Sequence, residues 1–293
     1  MLSVHDLTRC FGSATALDHV SFDVRPGRIT GFVGGNGAGK TTTMRIMVGV
    51  LAATAGDVRW DGSPLTAEWR RSFGYMPEER GLYPKMRVLD QLVFFGRIHG
   101  MTSSAAARRA TGLLDRLGLT ERRDDVLETL SLGNQQRVQI AAALVHHPSA
   151  LVLDEPFSGL DPLAVDAMVE LLRDEITPEM PVLFSSHQLE LVERLSDDLV
   201  ILSSGRVVVS GAVEALRRRE RDRFRVRLAP GADTGVFHRI DETPELAADG
   251  SAVVSLGEAS PEDVLARLVR EAPVAEFARE SRPLAEIYRE AVR

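Results

Sequence analysis

Lys40 and Thr41 follow a glycine-rich turn in "GGNGAGKTT", and Asp154 and Glu155 follow an apolar run in "ALVLDEP". These four residues have the types and spacing to do chemistry on a phosphate. Gly34, Gly39, Lys40 and Thr41 fit the pattern G-x-x-x-x-G-K-[ST] between an apolar strand and a helical pattern. Glycines let backbone N–H groups curl around an anion without a Cβ clash. Lys40 would sit on the β- and γ-phosphates and Thr41 would ligate Mg²⁺, where the positive end of a helix adds to the same spot. Every part faces an anion, so the pattern predicts nucleotide binding.

The run Ala150 to Leu153 reads as a buried parallel strand that delivers two carboxylates to the carboxyl edge of a sheet. Asp154 could hold Mg²⁺ directly or through water. Glu155, one residue on, points elsewhere and could take a proton from the water that attacks the γ-phosphate. A second apolar run, "PVLFSS", ends at His187, which could hydrogen-bond the γ-phosphate and that water. Each feature also has a plain structural reading, as an acidic strand end or a packed histidine. The phosphate loop favours chemistry, because it brings the metal and the phosphate these side chains need. "LSLGNQQRV" opens a helix with Ser131 at an N-cap position, a second helix start suited to an anion. It is redundant within one chain unless two chains meet head to tail and each offers its serine to the other's nucleotide.

The elements that must position these residues are legible in outline. Ile29 to Val33 reads as a strand and Thr41 to Leu51 as a helix. Residues 1–30 and "DVRWDG" alternate apolar and polar, which predicts an antiparallel edge beside a parallel core. Val88 to Leu119 is helical in pattern, with Ser103 or Ser104 as an N-cap before "AAARRATGLLDRLGL" and with Phe94 and Phe95 as core. Near Gly211 the pattern changes. Seven arginines lie between Arg217 and Arg227, diluted by Glu220 and Asp222, and the last three alternate with Phe224, Val226 and Leu228. They predict a strand with one apolar and one solvated cationic face. A loop, the strand "SAVVSL", the helix "PEDVLARLVREA", the strand "VAEFAR" and the helix "PLAEIYREAV" should complete a small α+β unit with no motif that names a chemistry.

Composition sets the frame. The chain has 293 residues, 44% of them hydrophobic and 26% charged, enough for two globular domains. Its lone Cys10 allows no internal disulfide, and no window approaches the ~18 uninterrupted apolar residues of a membrane span. A reducing, cytoplasmic setting fits, without a span of the chain's own. The formal charge of -7 argues against broad nucleic-acid binding.

The order of these motifs resembles the ATP-binding subunit of ABC transporters over about residues 1–215. "GGNGAGKTT" is similar to the Walker A loop, "LSLGNQQR" to the signature motif, "LVLDEP" to the Walker B strand, "SGLD" to the D-loop and His187 to the switch histidine. The resemblance implies an α/β fold: a P-loop NTPase core with a mostly parallel sheet, an antiparallel β edge and a helical insert at about 86–145, in an ATPase domain 1–215. A small α+β accessory domain, 216–293, follows it. It implies ATP and Mg²⁺ as cofactors, with Lys40, Glu155 and His187 catalytic. Nucleotide would be bound by Phe11 stacking on adenine, by Gly34, Gly35, Asn36, Gly37, Ala38, Gly39, Lys40, Thr41 and Thr42, and by Ser131, Gly133, Asn134 and Asp161. Metal would be held by Thr41, Asp154 and Glu78.

Finer likeness in "YMPEERGLYPKM", "LSLGNQQRVQ" and "SSHQLELVERL" points to ATPases paired with ABC-2 type export permeases. The partners implied are a separate membrane permease and a second copy of the chain on ATP binding, with no nucleic acid, at the inner face of the cell membrane through the permease. The chain departs from the family pattern at Gly35, Leu132 and Asn134, which should tune binding, because backbone N–H groups and Ser131 make the phosphate contacts. A further departure is Glu78, where the family usually has glutamine. A carboxylate is the stronger ligand for a hard cation, so Glu78 is expected to reach the metal and couple to the permease, with Glu79 a solvated neighbour. A soluble ABC ATPase acting on ribosomes or DNA is the alternative, and a nucleotide-binding regulator without turnover a third. Against these stand the single ATPase half, the short distance between Lys40 and Ser131, and a complete set of Lys40, Asp154, Glu155 and His187.

Overall fold

A computed structural model of the protein describes residues 1–79, 81–218, 223–241, 243–247, 249–256, 259–279 and 284–292. The chain divides into two compact units, residues 1–212 with 288–293, and residues 213–287.

The first unit begins with β1 (Leu2–Phe11), β2 (Ala14–Val24) and β3 (Ile29–Val33), followed by α1 (Lys40–Met47), β4 (Ala55–Trp60), β5 (Ser63–Pro64), α2 (Ala67–Arg71) and β6 (Phe73–Met76). A helical stretch comes next, α3 (Val88–Ile98), α4 (Ser103–Arg116) and α5 (Leu132–Leu144). The chain then returns through β7 (Ala150–Leu153), α6 (Pro162–Glu175), β8 (Val182–Ser186), α7 (Leu189–Leu195), β9 (Asp198–Ser203) and β10 (Arg206–Ala212).

The central sheet has the order β10-β9-β3-β8-β7-β6, parallel except for β10. Every residue of β3, β7 and β8 is buried, as continuous apolar runs in a sheet covered on both faces require. Strand register aligns their ends. Val33 pairs with Ser186, Leu153 with Phe184 and Met76 with Leu153, so the segments after β3, β6, β7 and β8 all leave the same carboxyl edge.

The antiparallel strands expected beside the parallel core form a sheet of their own, β2-β1-β4-β5. Their apolar alternation buries Leu2, Val4, Leu7, Val20, Phe22 and Val58 in one core with Met44 and Met47 of α1 and with Phe32 and Val152 of the central sheet. They thus cover the parallel sheet as a layer. Two helix boundaries also differ from the sequence expectation. α1 stops at Met47, because Gly49 takes a left-handed φ of 81° two residues on. The N-cap of α4 is Thr102, whose hydroxyl accepts from Ala105 N at 3.3 Å, rather than either following serine. Phe94 is 39% exposed and stacks edge-on with Phe95 and Tyr83, so it lies on the surface and not in the core.

The second unit comprises α8 (Val213–Arg218), β11 (Arg223–Leu228), α9 (Val236–Ile240), β12 (Glu245–Leu246), β13 (Ser251–Ser255), α10 (Pro261–Glu271), β14 (Val274–Arg279) and the start of α11 (Leu284–Ala291). Its sheet runs β12-β13-β11-β14, all antiparallel. α9 and β12 occupy the segment that reads as a loop, their apolar patterns being too short for a periodicity to show. The expected division at 215/216 falls inside α8, whose first residue opens this unit. Phe224, Val226 and Leu228 of β11 point into a core with Phe237, Val254 and Leu268. On the other face Arg223 pairs with Glu245, and Arg227 with Glu276, so neighbouring strands match the cations with acids. Arg219, Glu220, Arg221 and Asp222 lie outside the described residues.

Candidate nucleotide site

A cavity of about 510 Å³ opens at the carboxyl edge of the central sheet, lined by Ala16, residues 35–42, Glu78, Asp154, Glu155, Ser158 and His187. Four of these segments, those that follow β3, β6, β7 and β8, converge there because their strands are parallel and in register. The loop before α1 keeps its shape through glycine. Gly39, its last residue, has φ 108°, and a Cβ there would stand 2.5 Å from Leu17 Cδ2 and 3.0 Å from the Ala16 carbonyl oxygen. Lys40, 8% exposed, reaches back along the loop and donates through Nζ to the Gly34 oxygen at 2.7 Å and the Gly35 oxygen at 3.3 Å. The ammonium is held over the loop's rim, where an anion would meet it.

Asp154 is fully buried. One carboxylate oxygen, Oδ1, accepts from Ser185 Oγ at 2.6 Å, whereas Oδ2 is buried with no hydrogen-bond partner among the described residues. A buried carboxylate oxygen left over at a cavity wall fits a cation, since an unpaired one is costly. Among the described residues no group of three or more His, Cys, Asp or Glu side chains is placed to hold a metal. Mg²⁺ does not require one, because it commonly takes one or two carboxylates, substrate phosphates and several waters.

Glu155 has φ 51°, a left-handed conformation that costs a non-glycine residue about 1–3 kcal/mol and persists only where neighbours fix it. Its N–H donates to Ser185 Oγ at 2.8 Å. Its Oε2 lies 2.9 Å from Nδ1 of His187, a lining residue of the cavity, and Nδ1 can donate to it. Burial pushes the Glu155 carboxyl above the usual range, with His187 and Lys40 pulling it back. A carboxylate so raised is a better proton acceptor near neutral pH.

The other sequence-predicted residues divide. Glu78 is exposed and lines the cavity, while Glu79 lies outside it, 89% exposed and 4.0 Å from Arg45. Phe11 does not line the cavity; it is 49% exposed, with the Arg9 guanidinium 4.4 Å from its ring centre. Ser131 caps α5 by accepting from Asn134 N at 3.4 Å, and neither it nor Gly133 nor Asn134 lines the cavity. The Asp161 carboxylate accepts from Ala164 N at 2.9 Å as the cap of α6, and Asp161 does not line the cavity either. Ser185 escaped sequence reasoning. Its only signal is a hydroxyl at the carboxyl end of an otherwise apolar strand, which a structural serine would also give.

No described helix is long and apolar enough to cross a membrane. Residues 17–158 match the family model described as "ABC transporter". The chain is 42% identical over 218 residues to the Bacillus subtilis protein named uncharacterized ABC transporter ATP-binding protein YhaQ, covering 74% of this chain and 73% of that one. It is 35% identical over 214 residues to Nod factor export ATP-binding protein I of Ralstonia nicotianae, covering 72% and 67%. A solved structure titled as the ATP binding subunit of an ABC transporter superposes with a TM-score of 0.69 at 32% identity, over 75% of this chain and 92% of that one.

Proposed function

Because this chain belongs to the ABC transporter family, as an ATP-binding ATPase subunit, we propose that it works as a head-to-tail dimer on ATP binding and energises a separate membrane permease of the ABC-2 type, for export. The observation that carries this reading is the division of the site. Lys40, Thr41, Asp154, Glu155 and His187 gather around one cavity, while the Ser131-capped start of α5 is not part of its lining, with Ser131 exposed and Leu132 60% exposed. A helix start suited to a phosphate that does not line its own chain's cavity suits the nucleotide of a second copy. The export direction is supported by the name of the Ralstonia relative.

In this reading the loop N–H groups of residues 35–42 and Lys40 hold the phosphates. Thr41, Asp154 and Glu78 would hold Mg²⁺, which when bound neutralises charge on the β- and γ-phosphates. Glu155 accepts the proton of the attacking water, and His187 holds the Glu155 carboxylate through Nδ1 while its Nε2 faces the phosphate. Phe11 would stack on adenine, and Gly133, Asn134 and Asp161 would act at the dimer face. Of the segment 216–293, residues 216–287 form an accessory domain outside this chemistry, and the chain works at the inner face of the membrane through its permease.

Affinity purification of the tagged full chain from membranes tests the reading. A polytopic permease should co-purify, and addition of ATP should not release it. Recovery with ribosomes would favour the soluble alternative, and recovery without any membrane protein would remove the permease from the reading.

A further inference from the structure

Two glutamines on α5 grip the two loops that carry acidic residues to the cavity. Gln136 and Gln139 are three residues apart and so share a face of the helix. Gln136 Nε2 donates to the main-chain oxygens of Glu155 at 3.1 Å and Pro156 at 3.0 Å. Gln139, 3% exposed, donates through Nε2 to the oxygens of Pro77 at 2.7 Å and Glu79 at 3.3 Å, one on each side of Glu78. A side-chain amide has two donor hydrogens, and each glutamine gives both to one loop. The oxygens they hold belong to Glu155 and Pro156 and to the two neighbours of Glu78.

The backbone of Glu155 is therefore fixed at both ends, its N–H by Ser185 from β8 and its carbonyl by Gln136 from α5. That is the arrangement a residue at φ 51° needs in order to stay there. α5 is the same helix that Ser131 caps. A helix rises about 1.5 Å per residue, so Gln136 lies roughly two turns or less from that cap on one stiff rod.

We propose that Gln136 is a positioning residue for the Glu155 of its own chain, so that the helix whose start meets the partner's nucleotide also carries the base of its own site. Gln139 does the same for the Glu78 loop. The inference rests on the head-to-tail reading above for the role of Ser131, and on this chain's own hydrogen bonds for the role of Gln136.

Mixed dimers separate the two. Full-length chains with two different affinity tags are combined so that one chain carries Glu155→Gln and each dimer holds a single intact base. In the first mixed dimer Gln136→Glu, an isostere that cannot donate, is placed on the chain with the intact base. In the second it is placed on the chain with Glu155→Gln. Turnover should fall on the order of 10²-fold in the first dimer, the size expected for a base displaced by about an ångström, and stay within a small factor of the reference in the second. ATP affinity should be unaltered in both. Equal loss in both dimers, or loss only in the second, would overturn the proposal, because Gln136 would then support the fold or the partner's nucleotide. Gln136→Met, an apolar substitute of similar length, should repeat the asymmetry, and an unchanged denaturation midpoint guards against misfolding. If gel filtration shows no ATP-dependent dimer of Glu155→Gln, the head-to-tail reading fails by itself. Gln136→Glu in the single chain then decides: lower turnover at unaltered ATP affinity upholds the positioning role, and lower ATP affinity overturns it.

Discussion

Ser185 and Asp154 form a closed pair inside the protein: both side chains are fully buried, and the serine hydroxyl donates to Asp154 Oδ1 at 2.6 Å. The same hydroxyl accepts the Glu155 N–H. Ser185→Ala leaves a buried carboxylate oxygen and a buried N–H without partners, and each such group costs about 1–3 kcal/mol. The variant should unfold at a lower denaturant concentration, by about 2 kcal/mol or more, and lose turnover. An unshifted midpoint would show that the pair adds nothing to the fold.

Glu155→Gln keeps the shape of the side chain and removes the proton acceptor. Steady-state hydrolysis should fall roughly 10²- to 10⁴-fold, with ATP binding preserved. ATP-bound dimer should accumulate, since closure precedes chemistry in the head-to-tail scheme. Persistent turnover together with monomer alone on gel filtration in ATP and Mg²⁺ would refute both the base and the sandwich.

The acid limb of the pH–rate profile should follow Glu155. Burial raises its pKa and the His187 contact lowers it, so the active, deprotonated form is lost as pH falls through a value above the ordinary glutamate range. His187→Ala removes the lowering contact. Besides slowing turnover, it should move the acid limb of kcat/KM to higher pH, and a limb that stays or moves down would place the titration elsewhere.

Glu78 borders the cavity and Glu79 does not, which makes the second a control for the first. Glu78→Gln should raise the Mg²⁺ concentration needed for half-maximal turnover, while ATP binding in chelator increases, because a like charge near the γ-phosphate is gone. Glu79→Gln should change neither. A Mg²⁺ midpoint unmoved by the first substitution, or moved further by the second, would return the segment to the status of a surface turn.

His146 stacks on His99 with ring centres 3.7 Å apart and donates through Nε2 to the Phe73 carbonyl at 3.2 Å. Burial, with His99 adding to it, lowers its pKa from 6.5 to about 4. The native state thus holds His146 neutral where the unfolded chain is already protonated. Stability from this residue is complete above pH 6.5, declines as pH falls, and is lost by about pH 4, for a total of about 3 kcal/mol. His146→Gln should flatten the dependence of the denaturation midpoint on pH within that window, whatever it does to the midpoint at neutral pH. An unchanged slope would assign the acid sensitivity to other groups.

The glycine-rich loop, the carboxylates after β7 and the strands β3, β7 and β8 were legible in the chain because they are local. A phosphate loop needs glycines at fixed offsets, and a strand buried on both faces needs an unbroken apolar run. The stretch at Ser131 was legible for the same reason, as a cap followed by a helix. The antiparallel strands read correctly as strands, yet alternation alone does not say which sheet a strand joins, and they form a layer of their own.

Tertiary structure decided the rest. That Glu155, His187, Lys40 and Asp154 share one cavity comes from the order β9-β3-β8-β7-β6 and its parallel register, which no spacing along the chain encodes. The same holds for the hydrogen bonds that Ser185 and Gln136 make to Glu155, since each joins residues distant in sequence through a group that looks ordinary in its own segment. Phe11 and Ser131 show the complement: their residue types and positions suggested contacts that one chain's fold does not bring to its cavity. Local sequence determined which groups could do chemistry, because backbone shape and side-chain type are short-range properties. Which of them meet depends on strand order and packing, which are set by the whole core at once.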